Sequence, residues 1–323
     1  MPITRRSRSL WVLLDRYPAL PACTALLLLI AGGAVWVPRF ATDINIRNVL
    51  TQIVPLGLAA IGQSIVVLTG GIDMSVGGTV TLSVVVASLL MKNTAGSIAL
   101  GVAGALAAAL AVGLLNGYGV VRLKLPPFLM TVAMMFALEG VNLILRPTPG
   151  GYVPGAFRLL ATTRYGILPL GAAMLAVVAV AVILFMRRSR YGLHLYAVGG
   201  GEERARLAGV HTGRVKWQAY LWCSLFACMA GLFLAARTGA GDRFIGEPYN
   251  MDSVTAVVLG GTSLAGGVGG LEGTVAAAVL LGLLNNVLNL LKVLPYWQWI
   301  LKGMVMIAAL GLYGRLRMAR RSV

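Results

Sequence analysis

The stretch VVLTGGIDMSVGG at residues 66–78 breaks an otherwise apolar block with glycine and polar residues. A second stretch, VVLGGTSLAGGVGG at residues 257–270, repeats the Val-Val-Leu triplet followed by glycines in the other half of the chain. Glycine interrupts helices and lets backbones approach closely, so both stretches suit discontinuous membrane helices that line a translocation path. Close helix–helix packing, as at Gly113-x-x-x-Gly117, is an equally weighted alternative. The recurrence also suggests an internal duplication.

The composition around these stretches is that of a membrane protein. The chain has 323 residues, of which 58% are hydrophobic and only 11% are Asp, Glu, Lys or Arg. A soluble protein needs about 25% charged residues, and a disordered one needs low hydrophobicity, so both classes are excluded. The apolar residues lie in long blocks, which predicts an all-α polytopic membrane protein in contact with the lipid bilayer.

We interpret ten apolar blocks as membrane spans. Some of these helices are expected to be short or broken at the glycine-rich motifs. Eight crossings, with the third and eighth blocks re-entrant, is the second interpretation. The first block is longer than a signal-peptide core and has no clear cleavage site, so we expect it to be retained. This division predicts a tail at 1–18, a transmembrane domain at 19–314 and a second tail at 315–323. The ten blocks are 19–38, 51–69, 76–91, 98–121, 127–145, 167–186, 216–236, 251–266, 272–291 and 297–314.

The distribution of basic residues predicts the orientation. With the N-terminus inside, the inner segments carry 17 Lys and Arg residues and the outer segments carry nine. Inner loops of membrane proteins are richer in Lys and Arg, so both termini are predicted to be cytoplasmic. The net charge of +17 lies in loops and tails between apolar blocks, which argues against nucleic acid as a partner.

The largest hydrophilic segment, 187–216, lies on the predicted inside. Glu202 to Ala208 can form two helical turns, with the triplet Gly199–Gly201 in front and Gly209 behind as a C-terminal stop. A short helix across the cytoplasmic face suits docking into the groove of a partner protein. A solvated connector that carries topology-setting arginines is the alternative.

Four acidic residues lie near or within the apolar blocks: Asp73, Glu139, Asp252 and Glu272. An intramembrane carboxylate is a functional candidate. Asp73 and Asp252 precede apolar runs and could cap helix starts. Glu139 is predicted to be the deep one, either paired with Arg146 on the same helix face or placed at the pathway. The scarcity of charge predicts no buried charge pair, which favours a neutral polar cargo.

Catalytic motifs are nearly absent. No lysine is followed by Ser or Thr, so the chain lacks the Walker-A motif that binds ATP phosphates. Cys23, Cys223 and Cys228 lie in apolar runs without metal-ligand spacing, which predicts buried, inert thiols. The chain is therefore not expected to be an enzyme or to hold a metal or cofactor.

The segment 67–77 resembles the signature of the ribose-type inner-membrane permeases of ABC importers. These belong to the larger family of binding-protein-dependent permeases that includes the branched-chain amino-acid permeases. The resemblance continues at 127–132, 191–210, 252–261 and 302–303 and covers roughly residues 45–315. Glu203-Arg204-Ala205-x-x-x-Gly209 looks like the family's Glu-Ala-Ala-x-x-x-Gly coupling motif, with Arg204 departing from the usual small residue. Glu139-Gly140 also departs from the Arg-Gly that many relatives carry.

The resemblance implies a homo- or heterodimer of permeases in the bacterial inner membrane, a separate cytoplasmic ATPase that binds ATP and Mg, and a periplasmic sugar-binding protein. The implied function is alternating-access import of a small neutral solute, most simply a monosaccharide or related polyol. A proton- or sodium-coupled secondary transporter is the alternative, because Glu139 could serve as its midplane carboxylate. The predicted coupling residues are Gly199, Gly200, Glu202, Glu203, Arg204, Ala205, Arg206 and Gly209. The predicted pathway or signature residues are Gly70, Gly71, Asp73, Ser75, Gly77, Glu139, Asp252, Gly260 and Gly261.

Overall fold

A computed structural model describes residues 19–321, so the predicted tail at 1–18 and the last two residues of the tail at 315–323 lie outside the described residues. Within 19–321 the chain is all-α apart from one short antiparallel hairpin, β1 (Arg164–Tyr165) and β2 (Leu168–Pro169). The helices are α1 (Leu20–Trp36), α2 (Asp43–Leu68), α3 (Val76–Leu90), α4 (Ala95–Val121), α5 (Pro127–Leu145), α6 (Gly155–Thr162), α7 (Leu170–Arg188), α8 (Arg190–Gly200), α9 (Glu202–Leu207), α10 (Thr212–Thr238), α11 (Pro248–Leu259), α12 (Leu271–Leu290) and α13 (Pro295–Arg321).

Six of these helices are long and apolar enough to cross a membrane: α2, α4, α5, α7, α10 and α12. Helices α1 and α3 are apolar but shorter, at 17 and 15 residues. The all-α polytopic membrane class is therefore confirmed. The expected short helices are present as well, because α3 begins at Val76, inside the first glycine-rich stretch, and α11 has 12 residues.

Helix α10 lies at the centre of the bundle and packs against α2, α3 and α4. Small residues allow this close approach: side chains at Gly113 and Gly117 of α4 would clash with Ser224 and Trp217 of α10. These two glycines therefore have the packing role that the sequence suggested for them. Cys223 and Cys228 are buried on α10, whereas Cys23 on α1 is exposed and corrects the expectation that all three thiols are buried.

Two predicted boundaries were wrong. The eighth block, 251–266, was read as one span, but α11 ends at Leu259 and residues 260–270 form an irregular loop. The second block, 51–69, begins too late, because α2 already starts at Asp43. The triplet Gly199–Gly201 stands in front of the short helix as predicted, and Gly199 and Gly200 also form the last turn of α8. Only Gly201 separates α8 from α9.

Candidate translocation and coupling site

The two glycine-rich stretches end their helices in the same way. After Val66-Val67-Leu68, the N–H of Gly70 donates to the carbonyl of Val67 at 2.9 Å and the N–H of Gly71 to that of Val66 at 3.3 Å. This pair of bonds is the Schellman motif, which requires a left-handed residue at the first position past the cap. Gly70 supplies it with a φ of +84°.

The second stretch repeats this ending residue by residue. Gly261 has a φ of +87° and donates to the carbonyl of Val258 at 2.9 Å. Thr262 donates to that of Val257 at 3.1 Å. The shared triplet therefore marks a shared helix ending, which supports the internal duplication suggested by the sequence.

The chain between α2 and α3 has no regular structure and is held by buried polar side chains. Asp73 is buried, and its Oδ1 accepts hydrogen bonds from the backbone N–H and the hydroxyl of Ser75 at 2.8 and 2.6 Å. Asn116 of α4 donates to the Ser75 hydroxyl at 2.8 Å. The amide of Gln63, oriented so that both of its groups are paired, bonds the backbone N–H and carbonyl of Asp73 at 3.2 and 3.0 Å. Asp73 was predicted as a possible cap of a helix start; instead it is buried and holds the turn before α3.

Helix α3 begins inside the bundle, and its first turn is held by neighbouring elements. Its N-cap residue, Ser75, makes no side-chain capping bond. The backbone N–H of Gly77 instead donates to Oδ1 of Asn250 at 2.6 Å. Asn142 of α5 donates to the carbonyl of Gly78 at 3.2 Å. The start of α11 therefore caps the start of α3.

The turns after α2 and α11 both contact the end of α8. The N–H of Gly267 donates to the carbonyl of Leu68 at 3.0 Å. A Cβ atom at Gly199 would overlap this carbonyl and the N–H of Gly267, so only glycine permits the contact. A Cβ atom at Gly266 would lie 2.7 Å from the nitrogen of Gly70. The predicted signature glycine Gly70 and the predicted coupling glycines Gly199 and Gly200 thus meet Gly266 and Gly267 of the loop after α11 in one backbone-to-backbone cluster. We call these segments the glycine junction (residues 68–71, 199–200 and 260–270). Gly260, at the start of the same loop, packs instead against Gly273 of α12.

The side chain of Tyr196 connects α8 to the same glycine junction. Its hydroxyl donates to the carbonyl of Gly269 at 3.0 Å. Burial, together with the nearby carboxylate of Glu272, raises the pKa of Tyr196 above its usual value. The hydroxyl therefore stays protonated and remains a donor throughout the physiological pH range.

Helix α9 forms as predicted, from Glu202 to Leu207, and Gly209 stops it with a φ of +83°. Ala205 faces inward and is buried, while the charged side chains point outward. Glu203 pairs with Arg206 at 2.7 Å, and Glu202 pairs with Lys216 of α10. Arg204, which replaces a small residue of the family motif, lies exposed and donates to the carbonyl of Gly200 at 2.6 Å. A larger residue is tolerated at this position because it points away from the bundle.

Three predictions about the acidic residues within the bundle were wrong. Asp252 does not cap a helix start; it lies inside α11 and pairs with Lys302 of α13 at 2.8 Å, with side-chain exposures of 12% and 17%. This pair contradicts the expectation of no buried charge pair. Glu139 is exposed on α5, and among the side chains that the structure describes it has no ion pair with Arg146 or another residue. The predicted pairing is therefore wrong, and a place at the pathway stays a prediction.

Three polar residues of the site had not been singled out from the sequence: Gln63, Asn116 and Asn250. The signal that could have found Gln63 and Asn116 is a lone amide in an apolar helix, since such a group must find a buried partner. No metal-binding cluster of His, Cys, Asp and Glu occurs in the part of the chain that the structure describes.

A bundle of membrane helices with two matched helix breaks, joined to a short charged helix outside the apolar region, defines a transport protein of the permease class. The family model of the branched-chain amino acid transport system permease component matches residues 45–310. The chain therefore belongs to this permease family.

Relatives of known name agree with this family. The chain is 36% identical over 290 residues to the ribose import permease protein of Escherichia coli (strain K12), covering 88% of this chain and 90% of the relative. It is 35% identical to the ribose import permease protein of Bacillus subtilis (strain 168), with coverages of 84% and 85%. It is 30% identical to the galactose/methyl galactoside import permease protein of E. coli (strain K12), with coverages of 85% and 88%.

Proposed function

We propose that this protein is the membrane-spanning permease subunit of an ATP-driven importer for a monosaccharide or a related polyol in the bacterial inner membrane. Its relatives at 30–36% identity are sugar import permeases, which supports the sugar class. The chain acts with a second permease subunit, a periplasmic binding protein and a cytoplasmic ABC ATPase. ATP and Mg bind to that ATPase, and the permease itself is not an enzyme.

The observation that carries the mechanism is the glycine junction. The end of α8 touches the turns after α2 and α11 through backbone atoms, without flexible side chains between them. A displacement of α8 and α9 by the ATPase therefore moves both turns directly. Because the turn after α2 leads into α3, which α11 caps, such a displacement also reaches the interior of the bundle. Alternating access needs such a path from the driven helices to the interior of the bundle.

We further propose ten crossings with both termini in the cytoplasm. Helices α1 to α5, α7 and α10 to α13 can alternate in direction, with residues 69–75 completing the crossing of α3 and residues 239–247 that of α11. Packing supports this arrangement, since Gly77 near the start of α3 lies against Gly246 just before α11. The eight-crossing arrangement would require α3 and α11 to return to the side from which they came.

The function is tested by reconstituting the full chain with its ATPase and binding protein in lipid vesicles and measuring uptake of radiolabelled ribose and galactose. We expect ATP-dependent uptake that requires the binding protein. Reversing the charges of Glu203 and Arg206 singly should impair uptake, because both lie on the exposed face of α9. Unchanged uptake in both variants would contradict the coupling role of α9.

The secondary-transporter alternative is not favoured by the relatives, and Glu139→Gln separates it from our proposal. A carboxylate that carries the coupling ion is indispensable, so in that case the variant would lose uptake and the wild type would need no ATPase. We expect uptake by Glu139→Gln to retain its dependence on ATP.

A further inference from the structure

A basic groove of about 940 Å³ opens between the end of α4, the loop after α9 and the start of α10. Its lining includes Arg122, Arg206 and Arg214, each exposed, and no carboxylate-bearing residue. We propose that this groove binds the phosphate headgroup of an anionic phospholipid, with an acyl chain along its apolar wall. The inference rests on the proposed function only through the orientation, which places this end of the bundle at the cytoplasmic leaflet.

The three arginines come from three separate elements and converge on one groove. Arg122 follows α4, Arg206 lies in α9 and Arg214 lies in the first turn of α10. Guanidinium groups bind phosphate oxygens with a matching planar fork, and each contributes its charge whatever the pH. Arg206 also contacts Glu203 at 2.7 Å, which leaves its other N–H groups available. Three like charges facing one concave surface point to an anionic ligand.

The first turn of α10 also attracts an anion to this groove. This helix has 27 residues, and His211 at its N-cap position makes no side-chain capping bond. The first N–H groups of a helix lack intrahelical partners and attract anions. The first turn of α10 therefore adds backbone donors to the positive charge of the groove.

The wall below the arginines favours a lipid over a soluble anion or an acidic peptide. Leu114 lies seven residues before Val121 on α4, and Leu221 lies seven residues after Arg214 on α10. At 1.5 Å per residue, both leucines lie about 10 Å deeper than the charged rim. Leu114 is 46% exposed, so the wall is open to an acyl chain. A peptide would bring unpaired amides into this apolar depth, whereas an acyl chain has none.

The full chain is purified in a mild detergent and titrated with phosphatidylglycerol or phosphatidylcholine. Native mass spectrometry then measures the lipid that remains bound. We expect phosphatidylglycerol to bind more tightly. The double variant Arg122→Gln/Arg214→Gln should weaken that binding by about 30-fold, since each arginine near an anionic lipid contributes roughly a factor of five. Leu221→Asn should also weaken the binding of phosphatidylglycerol, because the substitution makes the apolar wall polar.

The matched control is Arg188→Gln/Arg190→Gln, which removes the same charge from the same end of the bundle outside the groove. The control should bind phosphatidylglycerol like the wild type, and 10 mM inorganic phosphate should leave the lipid in place. Equal losses in both double variants, or unchanged binding in the groove variants, would refute the proposal. Displacement by inorganic phosphate would assign the groove to a free anion. Lipid retention is measured without transport, so its failure is distinct from a failure of sugar uptake.

Discussion

Gly199 and Gly200 are neighbours in the last turn of α8 with different surroundings. A Cβ atom at Gly199 would overlap the carbonyl of Leu68, whereas nothing lies within 4 Å of one at Gly200. We expect Gly199→Ala to lower the free energy of unfolding by about 1–3 kcal/mol, the usual cost of overpacking. It should also impair ATP-driven uptake, because it separates α8 from both glycine-rich turns.

Gly200→Ala is the matched control, since it makes the same chemical change one residue away. We expect its uptake and its thermal unfolding midpoint in detergent to stay close to those of the wild type. Equal effects of the two alanines would show that helix propensity rather than backbone contact decides the outcome.

The ion pair of Asp252 and Lys302 gives a second prediction at the residue scale. Removing one partner leaves a buried charge uncompensated, which costs about 3–5 kcal/mol, whereas replacing both can be nearly neutral. Asp252→Asn and Lys302→Met should therefore each destabilise the protein strongly, and the double variant should regain most of the loss. This double-mutant cycle is measured by denaturant unfolding, in a mixed micelle, of the wild type, the two single variants and the double variant. Additive losses would indicate that the two side chains act independently.

At the scale of the element, the start of α3 depends on α11. The backbone N–H of Gly77 has its acceptor in Asn250, which belongs to a helix 173 positions later in the chain. We expect Asn250→Ala to cost about 1–2 kcal/mol in unfolding free energy, as the loss of a helix cap does. Asn250→Asp keeps an acceptor oxygen in the same place and should lose less. Unfolding followed by circular dichroism compares the two, and an equal loss in both variants would contradict the capping role.

The elements differ in how far the sequence predicts them, and the reason is physical. Helices α4, α5 and α10 follow from apolar length alone, and α9 follows from its charged turn and its stop at Gly209. The sequence does not predict the end of α8, because Gly199 and Gly200 are poor helix formers. Gly199 serves here for its contact with Leu68, a residue distant in sequence. Local composition carries no record of that contact.

The same limit applies to the polar residues of the site. Asp252 and Glu139 both look like intramembrane carboxylates in the sequence. What distinguishes them is the partner: Lys302 lies on the helix packed against Asp252, whereas Glu139 faces outward. The signature at residues 66–78 was readable because a helix break leaves a local mark, but its hydrogen-bond partners come from α4, α5 and α11.

At the scale of the whole molecule, the ten-crossing topology makes a prediction that the eight-crossing topology reverses. With ten crossings, Asn93 between α3 and α4 faces the periplasm and Leu123 after α4 faces the cytoplasm. If α3 were re-entrant, Asn93 would face the cytoplasm and Leu123 the periplasm. Both residues are exposed, so a cysteine at either position can react.

We expect a membrane-impermeant maleimide added to spheroplasts to label Asn93→Cys and to leave Leu123→Cys unlabelled, in a background where Cys23, Cys223 and Cys228 are alanine. Permeabilised cells should label both, which controls for reactivity. Leu207→Cys, on the exposed side of α9, should behave like Leu123→Cys, because the ten-crossing topology places α9 in the cytoplasm, where an ATPase can reach it. Labelling at Leu207 from outside would place the glycine junction at the wrong end of the bundle for a cytoplasmic ATPase. That outcome would refute the coupling mechanism together with the topology, since the contact of α8 with both turns can transmit force only from the side on which ATP is hydrolysed.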